Sequence, residues 1–171
     1  MFSANEAKIV TKAIKVSNKD KGYRHFQLKA KFQDGAMHVT NGFCIFSVPG
    51  FTDKDGIIVD EFLQKDEMSN FPTISVILKK DYGIRGVDYA QAVHVLSNLS
   101  GFKNGKQPVF FDPETCVLGK RGINLEYFTS FASILPKCSV VSIEATKDKD
   151  IYRITWVNGA TLIMATGAKL D

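Results

Sequence analysis

Between Asn124 and Pro136 the apolar residues Leu125, Phe128, Phe131, Ala132 and Leu135 recur at three- and four-residue steps, with Glu126, Thr129, Ser130 and Ser133 facing away. The spacing predicts one amphipathic helix. Asn124 can accept a free amide N–H of its first turn, and Pro136, lacking an N–H, cannot continue it. Three strands should follow: Val140 to Ala145, then Ile151 to Val157 after a polar turn at 146–150, then Ala160 to Thr166. Asn158-Gly159 between the last two supplies the positive φ angles of a tight hairpin.

The chain opens with the same order. Ser3-Ala4-Asn5-Glu6 has the spacing of a capping box, and Ile9, Val10, Ala13 and Ile14 form the buried stripe of a helix from about Ala4 to Val16. Strands are expected at His25 to Phe32, Ala36 to Thr40 and Phe43 to Val48, broken by Asp34-Gly35 and Asn41-Gly42. Helix, strand, strand, Asn-Gly and strand thus occur twice. The middle is less regular. Gly56 to Val59 reads as a short strand, and Phe71 to Leu78 holds Ile74, Val76 and Leu78 in strand alternation. A further helix is expected near 88–100, capped by Asp88 and stopped by Gly101, then strands at Val109 to Phe111 and Cys116 to Leu118. The predicted fold is α+β, an antiparallel sheet from two helix-plus-three-strand repeats with helices packed on one face. One domain over 1–171 is expected, with an N-terminal repeat at about 1–78 and a C-terminal part at about 79–171.

Charge sharpens this picture. The 171 residues carry net +4, yet residues 1–35 hold eight basic side chains against three acidic ones, so the remainder is slightly acidic. Lys8, Lys12 and Lys15 fall at i, i+4 and i+7 on one helical face, with Lys19, Lys21 and Arg24 just beyond. Such a row suits an anionic partner, and phosphate is the obvious one. The 44% hydrophobic content and 13 Phe suffice for a core without disulfides. The three cysteines, Cys44, Cys116 and Cys138, form no C-x-x-C pair and read as reduced, mostly buried side chains. Neither a signal peptide nor a membrane-spanning run is legible, so a cytoplasmic protein is expected.

Several segments together resemble the sliding-clamp fold of the beta subunit of bacterial DNA polymerase III. They are the helix at Asn124-Leu125-Glu126-Tyr127-Phe128, the strand Val140-Val141-Ser142-Ile143, the closing Leu162-Ile163-Met164-Ala165-Thr166, the step Thr40-Asn41-Gly42, and Phe71-Pro72 ahead of Val76-Ile77. The last fifty residues carry most of the likeness. The chain has material for about one clamp domain, lacks the proline and arginine that follow the methionine in the family's partner-binding tail, and has Cys44-Ile45 where a basic residue is common. The resemblance implies a DNA-clamp-like, processivity-type protein that contacts double-stranded DNA through Lys8, Lys12, Lys15, Lys19, Lys21 and Arg24. It also implies a homo-oligomer and a replication-protein partner. The alternative is a protein-interaction or assembly module that kept the fold without DNA binding.

Catalytic motifs do not emerge. There is no G-x-x-x-x-G-K-[ST] loop, and His25, His38 and His94 are scattered without metal-ligand spacing, so neither a cofactor nor a metal site is expected, and no enzyme. Trp156, sharing a strand face with Tyr152 and Ile154, reads as core rather than a base-stacking platform.

Overall fold

The computed structural model describes residues 2–18, 29–67, 71–83, 89–99 and 109–168. Ser3 and Glu6 close the capping box: Ser3 Oγ accepts from the Glu6 amide at 3.1 Å, and Glu6 Oε1 from the Ser3 amide at 2.8 Å. This starts α1 (Ala4–Ser17). Strands β1 (Lys29–Gln33), β2 (Ala36–Thr40) and β3 (Cys44–Pro49) follow as consecutive antiparallel hairpins. Asp34 and Gly35 both take positive φ, 54° and 77°, which matches the twist of a two-residue hairpin turn. β4 (Ile58–Asp60) then returns along the far side of β1.

In the second half, α4 (Leu125–Ala132) precedes β8 (Val140–Ala145), β9 (Ile151–Trp156) and β10 (Thr161–Ala165), again antiparallel in sequence. β3 pairs with β10, joining both ends of the chain in one seven-stranded sheet of order β4-β1-β2-β3-β10-β9-β8. Alternation sends Phe32, Met37, Val39, Phe46, Ile154, Trp156 and Leu162 to one face, where they form a common core with Val10 and Ile14 of α1 and Phe128 and Phe131 of α4. Trp156 is buried there, stacked on Phe128 at 5.6 Å with an interplanar angle of 7°. α3 (Ala90–Ser97) adds Ala92 and Leu96 to that core, and its Ser97 Oγ donates to the Val140 carbonyl at 3.0 Å.

The structure corrects four expectations. At Asn41-Gly42 and Asn158-Gly159 only the glycine takes positive φ, 89° and 87°. The asparagines serve as acceptors instead, Asn41 Oδ1 from the amides of Phe43 and Cys44 and Asn158 Oδ1 from that of Ala160. Residues 71–78 are not a strand: Ser75–Leu78 forms a single helical turn, α2, whose Ile74 and Ile77 turn toward the sheet. Beside α4, β5 (Phe110–Asp112) and β6 (Val117–Gly119) do form, but in a separate four-stranded sheet with β7 (Arg121–Asn124) and β11 (Gly167–Ala168), order β11-β7-β5-β6. β4 occupies Ile58–Asp60, starting two residues and ending one residue later than the expected Gly56 to Val59. His25 to Leu28, Asp88 and Gly101 lie outside the described residues.

Candidate nucleic-acid interface and an apolar cleft

Burial of Val10, Ala13 and Ile14 fixes the rotation of α1, and the same rotation leaves Lys8, Lys12 and Lys15 exposed in a row. Seven residues at about 1.5 Å rise separate the outer pair, so the row is about 10 Å long. That length spans roughly three phosphates of one DNA strand at about 3.4 Å each along the axis. Among the described residues no carboxylate forms an ion pair with any of the three. Glu6 is engaged in its capping box, and Lys15 lies in the last turn, where the helix dipole favours a cation. Lys19, Lys21 and Arg24 lie outside the described residues. Lys29, counted with the same basic segment, is neutralised by Asp66 at 2.6 Å.

α4 lies beside α1 on this face and contributes no cation. Its Thr129 hydroxyl is turned to its own backbone, Oγ1 donating to the Leu125 carbonyl, and at its C-cap Ser133 Oγ donates to the Ser130 carbonyl. The positive charge of the helical layer, as far as it is described, therefore belongs to α1.

The opposite face carries a second feature, absent from the sequence reading. Strand alternation turns Thr40, Ile45, Ile151 and Ile163 outward, and Pro72, Ile74 and Ile77 lie over them, leaving an open cleft of about 340 Å³. Cys44 and Met164 reach its wall from the adjoining strand positions, and Phe43, 56% exposed, lines it as well. The signal was present in the sequence. β3 reads Cys44-Ile45-Phe46-Ser47-Val48 with apolar residues on both faces, the pattern of a strand covered from two sides.

On the same outer face His38 and Ser47 are direct cross-strand partners. Their Nδ1 and Oγ lie 2.6 Å apart, and His38 Nε2 is 3.0 Å from the Gln33 carbonyl. That carbonyl can only accept, so Nε2 carries the proton and Nδ1 accepts from the Ser47 hydroxyl. Burial holds the His38 pKa below its ordinary value of 6.5, outweighing the opposing pull of the Gln33 carbonyl. The ring is neutral and structural. Among the described residues no three His, Cys, Asp or Glu side chains gather as a metal site, and no helix is long and apolar enough to cross a membrane.

No family model, curated protein or solved structure matches the chain.

Proposed function

We propose that the chain is a non-catalytic, DNA-associated protein of sliding-clamp type that holds duplex phosphates against the exposed face of α1. The observation that carries this reading is the strand order. Outward from the central β3-β10 pair it runs β3-β2-β1 one way and β10-β9-β8 the other, each trio preceded in the chain by a helix on the same face. That is the arrangement expected of two helix-plus-three-strand repeats related by an approximate two-fold, with α1 and α4 side by side. The Lys8, Lys12 and Lys15 row then lies on the helical side, where a rod of phosphates meets it without any base being read.

The test is replacement of all three lysines by glutamine. Stability should hardly change, because exposed lysines contribute little to folding. Duplex binding should weaken equally for all sequences, and the log-log salt slope should flatten by about 0.9 per lost phosphate contact. Absence of any salt-dependent duplex binding by the wild-type protein at low ionic strength would remove the DNA role.

The second reading, an interaction module, is favoured by the cleft. Its apolar floor of Ile45 and Ile163 and its rim at Phe43 suit a short apolar peptide segment of a partner protein. It stands if the lysine row proves inert.

A further inference from the structure

Residues 71–83 cross the outer face of the sheet as a strap, and they supply one whole wall of the cleft, through Pro72, Ile74 and Ile77. The strands beneath are tied by ladder hydrogen bonds. The strap is held differently. Its backbone bonds run from Leu78 to Ile74, Lys79 to Ser75 and Lys80 to Ile77. The Tyr82 hydroxyl donates to the Ile77 carbonyl at 2.6 Å, and the Gly83 amide to Asp81 Oδ1 at 2.9 Å. Among the described residues, then, the hydrogen bonds of 72–83 close within the strap and none reaches the sheet.

Side-chain packing holds residues 72–83 to the sheet at two points. Ile74 and Tyr82 are each 2% exposed, one beside the cleft and one beyond it. Over the Tyr82 ring lies the Arg153 guanidinium, 4.5 Å from the centroid. Arg153 is held in turn by Glu144, which accepts on Oε1 from Nε at 3.2 Å and Nη2 at 2.8 Å. Lys80 adds only an electrostatic pull toward Asp150 on the rim. A wall held to the sheet through side chains and not through ladder hydrogen bonds at 72–83 has a lower opening cost than the strands it covers.

We propose that the strap is a gate over the cleft, latched by Tyr82, Arg153 and Glu144, and that its release opens the floor at Ile45 and Ile163. The gate regulates the same cleft that the interaction reading fills. A partner that needs the wall displaced binds only the open state, so a looser latch raises its apparent affinity. The gate exists whether or not a partner does, so the two ideas fail separately.

Ile45, 8% exposed and on the cleft floor, is the position for a reporter, whereas Cys44 beside it belongs to the core on the other face. With Ile45→Cys in a Cys116→Ser, Cys138→Ser background, the rate of alkylation by N-ethylmaleimide at that position, measured against the same background with Ile45 intact, reads the opening of the strap. Arg153→Met removes the stack and the ion pair but keeps the stem, and should speed alkylation by about three- to tenfold. Arg153→Lys keeps the charge while losing the planar stack, and should give a smaller rise of the same sign. Urea unfolding of each variant separates local from global opening, since a local gate opens at a rate that small urea additions do not change. The proposal is overturned if neither variant moves the rate, or if the rate rises only by the factor by which global unfolding becomes easier.

Discussion

His38 is buried between a serine hydroxyl and a backbone carbonyl, so protonating it in mild acid should cost the fold stability. Its folded pKa lies below the unfolded value of 6.5, so the neutral ring is the form that the native state prefers. The unfolded chain therefore takes up this proton first as pH falls. Stability from this site is complete above about 6.5 and declines below it toward the folded pKa. Asp53 and Asp150, whose pKa values are lowered by hydrogen bonds from Lys54 and Thr146, are already ionised throughout that window and contribute no slope to it. We expect the urea midpoint to drop between pH 7 and pH 5 in the wild type. His38→Gln, whose amide can still donate to the Gln33 carbonyl, should lose most of that slope even if its midpoint is lower overall. An unchanged slope in the variant would assign the acid sensitivity to another group.

At the scale of elements, α4 and the β7 strand leading into it show how two neighbouring residues act through unrelated physics. Asn124 caps α4, its Oδ1 accepting from the Glu126 and Tyr127 amides at 3.0 and 3.2 Å, and Asn124→Ala should cost about 1 kcal/mol. Gly122 has φ 129°, and a Cβ there would stand 2.2 Å from the Phe111 carbonyl oxygen. Gly122→Ala should cost roughly 3 kcal/mol, because positive φ and a backbone clash act together. Denaturant midpoints of the two variants check the ranking, and equal losses would contradict it. The cap was legible in the sequence because capping is local: an asparagine, then an apolar period. The β7 strand was not, because Arg121-Gly122-Ile123-Asn124 has only one branched apolar residue and forms by pairing with β5 and β11, which are distant or short. The same reason accounts for α2. Eight residues with alternating Ile74, Val76 and Leu78 satisfy a strand template, yet they lie over the middle of the sheet, on β3, β10 and β9, where every strand already has two neighbours, so they fold into a turn that packs Ile74 and Ile77 downward while Val76 stays exposed. The lysine row was readable because a helical period sets it. The cleft was not, since its walls come from segments more than a hundred residues apart.

At the scale of the whole molecule, the seven-stranded sheet ends in β4 on one side and β8 on the other, two different edges. The β4 edge is partly occupied, Lys65 bridging to Val59 as residues 61–67 fold back over it. Among the described residues β8 has β9 as its one strand partner, with α3 packed against it and Ser97 Oγ on its Val140 carbonyl, and Val141 on it is half exposed. Unlike edges favour head-to-tail contacts, which close into a ring when the rotation per copy divides a full turn and run into open chains when it does not. On the DNA-binding reading proposed above, such closure would let a chain of this size encircle a duplex, because three exposed lysines per copy give a salt slope of less than about 3, whereas several copies on one duplex multiply it. Light scattering over a wide concentration range should therefore find a closed multimer with a single limiting mass. Val141→Lys, which places a charge on the β8 edge, should return that multimer to monomers without lowering the thermal midpoint of the monomer. The same variant should lose salt-dependent duplex binding although every lysine of α1 is intact. A wild-type protein that stays monomeric at high concentration would end the ring, and the cleft with its strap would then be the surface through which this fold acts.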